Sequence, residues 1–317
     1  MPIVKLIDFL LRPFLRVWRA LPPLLLLLVL VSLTLCGFAQ SPTPAAEIPG
    51  QLAWAPDHPV NGSPCLFIFR TPTELRSLQG KWMGHVVYFS RRPGADTWYG
   101  IAGIDQAAAP GSYQLELEAV KADGAAAQTA QMVEVSATTY KSEVLRVHER
   151  FVQPTPEMQK RIEQDRELKQ RVFSQITQAA VWSGSFIAPV DTAVSEGFGT
   201  QRVFNGVVKS VHQGLDFHAH EGTPVLAANS GQVVLASDLF YEGKCVVIDH
   251  GQGLFTLYMH LSEIQARVGQ QVKRAQVLGL SGATGRATGP HLHMAVRWEG
   301  VYLDPARLLA LSMPDLQ

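Results

Sequence analysis

Between residues 113 and 119 the chain alternates apolar Tyr113, Leu115, Leu117 and Ala119 with polar Gln114, Glu116 and Glu118, directly after a Pro110-Gly111 turn. A period of two places one face of a strand in a core and the other in water. Shorter apolar runs bounded by turn residues lie at 65–69, 85–90, 98–104 and 131–136. Together they predict a small immunoglobulin-like β-sandwich over residues 51–148. Thr155-Pro156-Glu157 then offers a capping hydroxyl, a proline suited to the first helical position and an acid in the first turn. Leu168, Val172 and Ile176, four apart, give this helix a thin apolar stripe, as fits a linking helix over 155–180 packed lightly between two β regions. From residue 184 onward β patterning returns in glycine-rich sequence, with runs at 224–228, 231–235, 245–248, 254–261, 272–280 and 291–298. The fold class is mostly β.

The N-terminus has a different pattern. Residues 1–20 carry Lys5, Arg12, Arg16 and Arg19 against Asp8 alone, and an apolar run extends from Leu21 to Leu35. This reads as a secretory signal peptide ending at Gly37-Phe38-Ala39, with cleavage before Gln40. The competing reading is an uncleaved membrane anchor, since residues 21–39 just suffice to span a bilayer. Both readings export the remainder of the chain. Cys36 invites a lipid attachment, but bulky Leu35 stands where such a signal wants a small residue. Residues 40–50, with Pro42, Pro44 and Pro49, form a spacer.

Composition narrows the partners. Lys plus Arg and Asp plus Glu number 27 each, and charged residues make up only 17% of the chain. Without residues 1–39 the balance is 23 basic against 26 acidic. A basic-patch binder of nucleic acid is excluded on that count. Two of the three cysteines, Cys65 and Cys245, lie beyond the leader; 180 residues apart, they read as separate buried thiols rather than a disulfide.

Seven of the ten histidines fall between residues 212 and 293. In the strand-like 291–298 run, parity sends His291 and His293 to one face and Leu292, Met294, Val296 and Trp298 to the other. His212 and Asp216, an even four residues apart, likewise share a side of an extended chain, and Gly214 leaves room between them. Two neutral imidazoles and a carboxylate suit zinc, and three protein ligands leave a position for water. Zinc brings that water's pKa towards neutrality and generates a hydroxide nucleophile. His260 is then spare for proton transfer or oxyanion stabilisation. Spacing alone leaves open whether His291 or His293 binds the metal.

These residues resemble the lysostaphin-like zinc endopeptidases that cut peptide cross-links in bacterial cell walls. The likeness runs through Gly197-Phe198-Gly199, His212 with Asp216, Gly222-Thr223-Pro224-Val225, Asp249-His250-Gly251, Tyr258-Met259-His260-Leu261 and Gly282-Ala283-Thr284-Gly285 into Gly289-Pro290-His291-Leu292-His293. It covers residues 184–307, with the motifs in the family's order. It implies an antiparallel β catalytic domain with a groove, over 184–317, in which His212, Asp216 and His293 hold one zinc ion. His260 and His291 become the catalytic pair, one deprotonating water and the other steadying the oxyanion, in an order the resemblance leaves open. The implied substrate is the stem peptides of peptidoglycan. Pentaglycine bridges and direct D-alanyl to diaminopimelate links are both cut in the family, and the architecture favours the direct link. A non-catalytic wall-binding or hydrolase-activating relative is the alternative; the complete ligand set argues against it.

Other residues take plainer readings. His58, His85 and His148 are isolated; His218 and His220 run into a turn and belong at the rim; His250 sits in a hairpin turn. The glycine-rich 279–289 stretch lacks the ending of a phosphate loop and reads as a groove wall. Arg286 within it could meet a substrate carboxylate, but an exposed loop charge is the commoner case.

Overall fold

The computed structural model describes residues 46–145, 151, 153–204 and 208–316, and so leaves the leader, the anchor alternative and His148 outside the described residues. The alternating run is β7 (Gly111–Lys121), paired antiparallel with β8 (Ala126–Val135) and with β4 (Leu75–Trp82). With β1 (Ala46–Glu47) and β5 (His85–Tyr88) these form a five-stranded sheet, order β1-β8-β7-β4-β5. A second sheet pairs β3 (Pro64–Arg70) between β2 (Gln51–Ala55) and β6 (Thr97–Gly103). Phe67 of β3 meets Trp82 of β4 edge to face at 5.2 Å, closing a core between the two sheets.

β9 (Ser142–Leu145) leaves this region to pair in parallel with β11 (Gln201–Phe204), which pairs in turn with β12 (Val208–Val211). The helix forms where the capping residues predict it, as α1 (Pro156–Phe173), with the Thr155 hydroxyl accepting the Met158 N–H. It ends at the Ser174 cap, before Ile176, so the apolar stripe is completed by Phe173 instead.

An eight-stranded sheet dominates the C-terminal half. Its order is β10 (Val194–Glu196), β13 (Leu215–Phe217), β21 (Leu292–Trp298), β17 (Leu254–Leu261), β16 (Gly243–Asp249), β15 (Gly231–Leu239) and β19 (Gln271–Val272), with β22 (Val301–Leu303) on the far part of β21. β17 and β21 are central and almost wholly buried, as their continuous apolar character requires. The 272–280 run divides: Ala275, at φ 67°, turns the chain between β19 and β20 (Val277–Leu280), which pairs with β14 (Pro224–Leu226) and β18 (Glu263–Ile264). A short α2 (Pro305–Ala310) closes the chain.

One apolar core runs through both β regions, from Ile48, Phe67 and Trp82 to Trp182, Trp298 and Leu308. Gln252, fully buried in the β16–β17 turn, joins the regions. Its amide donates to the Tyr99 carbonyl (2.9 Å) and Ser90 Oγ (3.2 Å), and its side-chain oxygen accepts the Ile101 N–H (3.3 Å). Cys65 and Cys245 are both free and buried, and burial pushes both thiols far up.

Candidate metal centre

Asp216 and His293 are directly opposed residues of neighbouring antiparallel strands, β13 and β21, so their side chains rise from adjacent points on one sheet face. His212 stands just beyond β12, with its N–H on the Thr200 carbonyl (2.8 Å) and its carbonyl accepting from Gly199 (2.8 Å). The three side chains converge. Asp216 Oδ1 lies 2.7 Å from His293 Nδ1 and 3.1 Å from His212 Nε2, and the two nitrogens are 3.0 Å apart. All three residues are buried.

The His212 ring donates from Nδ1 to the Gly197 carbonyl at 2.8 Å, which leaves its Nε2 as a lone pair aimed at the other two ligand atoms. Burial alone would push the Asp216 carboxyl up, but the imidazoles of His212 and His293 prevail and hold it far below the usual range. Three potential ligand atoms this close are held together either by protons on the imidazoles or by a cation among them. Two imidazole nitrogens and one carboxylate oxygen are the donor set that zinc takes, and the residues present therefore fit the metal.

His260 reaches the same face by a bulge. Parity along β17 would place it beside Tyr258, whose hydroxyl lies in the core against the Ala228 N–H. The register with β16 slips between Lys244 and Val246, and His260 takes φ 62°. The extra residue turns the ring to the side of Met259. Its Nδ1–H is held by the Thr284 carbonyl at 2.8 Å, and burial, followed by the nearby His291 and His293 rings, lowers its pKa to about 3. His291 donates from Nδ1 to the Gly289 carbonyl (2.8 Å), with its ring 4.8 Å from His260 and its Nε2 3.9 Å from Asp216. All five candidate residues thus share one site.

His218 and His220 are exposed, as expected for rim positions. His58 is exposed, and His85 packs edge-on to Trp298. His250 keeps its backbone in the turn but buries its ring, with Nδ1 on the Ser230 carbonyl and Nε2 on the Thr256 hydroxyl, both at 2.7 Å.

Arg286 differs from the expected exposed loop charge. It is half-buried, stacks on Tyr241 at 4.7 Å and lines a cleft of about 130 Å³ beside His212, His260 and His293. A stacked aromatic and a backbone bond from Arg286 N to the Tyr241 carbonyl (2.8 Å) bring it there. A roomier cavity, about 600 Å³, lies between β4, β7 and the 178–179 segment and shares no lining residue with this cluster; chemistry picks the smaller one. The sequence motifs include Thr284 without its bond to His260, and do not include Glu242 and Tyr302, which line the cleft, because these contacts join chain segments that meet only in the fold.

A family model of peptidase family M23 matches residues 210–305. A solved M23 peptidase of Pseudomonas aeruginosa is 31% identical, with a TM-score of 0.61, over 79% of this chain and 95% of that one. The chain belongs to peptidase family M23. It is 47% identical over 133 residues to the peptidoglycan DD-endopeptidase ShyA of Vibrio cholerae, 40% of this chain and 31% of that protein. It is 40% identical over 106 residues to the DD-carboxypeptidase/endopeptidase Mpg of Neisseria meningitidis, 33% of this chain and 24% of the relative. The matched segment therefore spans less than a third of these curated relatives.

Proposed function

We propose that the protein is a zinc-dependent endopeptidase, with one zinc ion per chain, that hydrolyses peptide bonds in peptidoglycan cross-links within the cell-wall compartment. The observation that carries this reading is the triangle of His212 Nε2, Asp216 Oδ1 and His293 Nδ1, flanked by two more imidazoles. A zinc ion held by those three atoms supplies a Lewis acid that brings a water's pKa towards neutrality and polarises the scissile carbonyl.

The chain's own groups do the rest. With Nδ1–H of His260 and of His291 on backbone carbonyls, each ring presents Nε2 to the site as an acceptor. Nε2 of one ring takes the proton of the attacking water; a ring protonated there donates to the oxyanion and then to the leaving amine. The cleft wall from Tyr241 to Arg286, beside His212, His260 and His293, is where the reacting peptide would lie. Stem peptides as substrate, and the direct D-alanyl to diaminopimelate bond in particular, are supported by relatives named DD-endopeptidases.

The test is digestion of purified sacculi by the zinc-loaded chain, with products read by mass spectrometry. Cross-linked stem peptides should be cut, and a chelator or His212→Ala should stop it. His260→Ala should retain zinc while turnover falls about 10²- to 10⁴-fold. A wall-binding, non-catalytic relative would release nothing and be indifferent to that substitution.

A further inference from the structure

α1 lies ahead of the family-matched segment, and none of its side chains is fully buried. Arg161, Asp165 and Lys169 are nevertheless spaced by four, on one face, and all three engage the end of β15 and the turn after it. Arg161 donates to the Asp238 carbonyl (3.2 Å), the Asp165 carboxylate accepts the Phe240 N–H (2.7 Å), and the Lys169 ammonium pairs with the Glu242 carboxylate.

These contacts are unequal. The Arg161–Asp238 side chains are 49% and 61% exposed, in the range where an ion pair contributes little. Lys169 and Glu242 are 25% and 14% exposed. Burial works against the Lys169 ammonium, yet the Glu242 carboxylate outweighs it and holds Lys169 above its ordinary value. Below the pair, Leu168, Val172 and Phe173 seat the helix on the apolar cluster that includes Met259, and Phe173 meets Phe255 at 5.3 Å.

Glu242 is where this clamp reaches the active centre. Its carbonyl accepts the His260 N–H at 2.9 Å, at the residue whose positive φ persists only while its surroundings enforce it. The next residue, Gly243, packs so closely on Thr284 that a Cβ would stand 2.3 Å from its hydroxyl, and Thr284 holds the His260 ring. Main chain and ring of His260 are thus both fixed by groups at or beside Glu242.

We infer that Lys169, acting through Glu242, is a positioning residue for His260, so that the helix preceding the metal domain is a working part of the hydrolytic site. The inference rests on the endopeptidase reading for its kinetic arm only. In the zinc-loaded full chain, Lys169→Met should lower kcat about 10- to 100-fold with KM and zinc content little changed. Lys169→Arg should restore most of the rate, and Arg161→Ala should stay within about twofold.

With ¹⁵N-labelled histidine, the His260 Nδ1–H resonance should broaden or shift in Lys169→Met and stay in place in Lys169→Arg. Glu242→Gln, which keeps the shape of the turn, should reproduce both losses. Normal turnover with an unmoved His260 resonance in Lys169→Met and Glu242→Gln overturns the inference, as does loss of bound zinc alongside the rate. If the unmodified chain cuts nothing, the endopeptidase reading fails, and the resonance alone decides the positioning role.

Discussion

Gly214 and His293 leave no room between them for a side chain: a Cβ on Gly214 would stand 2.3 Å from His293 Nε2 and 2.5 Å from the Met294 carbonyl oxygen. Close approach is what fixes glycine here, because the backbone conformation at 214 is one that other residues adopt. Gly214→Ala must therefore displace the His293 ring or separate β13 from β21. The expected outcome is zinc affinity lowered by about tenfold or more, with the far-ultraviolet circular dichroism unchanged, as measured by titration against a competing chelator. Unaltered affinity would show that His293 is not a ligand.

Two imidazole nitrogens and one carboxylate oxygen lie within 3.1 Å of one another, so a cation that takes all three has its ligands already assembled in the native chain. On the proposed reading zinc takes the assembled site and not the unfolded chain, so adding it should raise the melting temperature. At a free concentration 100 times Kd the gain is about 2.7 kcal/mol. Differential scanning calorimetry with and without zinc checks this, and His212→Ala should abolish the increment.

His250 gives a pH dependence separate from the metal. Burial lowers its pKa from 6.5 to about 4. Between those values the unfolded chain binds a proton that the native ring refuses, so stability falls as pH drops through the window and is insensitive to this group above it. At roughly 1.4 kcal/mol per unit, the full effect is on the order of 3 kcal/mol near pH 4. Urea unfolding at pH 7, 5.5 and 4.5 should show the decline, and His250→Gln should be less stable at pH 7 with a shallower slope.

Gln252→Ala removes three hydrogen bonds across the boundary of the β regions and takes the Gln252 partner from the buried Ile101 N–H, while the Tyr99 carbonyl keeps its bond from the Ser90 N–H. A buried group left unsatisfied costs about 1–3 kcal/mol. A lower urea midpoint with a single cooperative transition is expected, because the apolar core is continuous; two separated transitions would show that the regions unfold independently.

Local pattern explains what the sequence made readable. The alternation at Tyr113–Ala119 depends on neighbours in the chain and survives in β7, while His293 lies in β21 and His291 stands just before it, bridged to Gly282. β4 went unread because its register shifts between Leu75 and Ser77, breaking the period that would have announced it. The aim of His260 was hidden for the same reason: simple parity points it into the core, and a bulge reverses it. Arg286 looked like a loop charge because the Tyr241 ring beneath it is 45 residues away in the chain. The family motifs led to the five clustered residues but are silent on Lys169, whose partner is 73 positions distant.

The pairing of β9 with β11 means that a segment from before the helix completes a sheet beside the proposed metal ligands. A fragment begun at residue 184 would be born with an open strand edge, a bared hydrophobic seam where Trp298 and Leu303 pack against Gly103 and Trp298 also meets His85, and no clamp on the β15–β16 turn. Such a piece would invite self-association before it ever met a substrate.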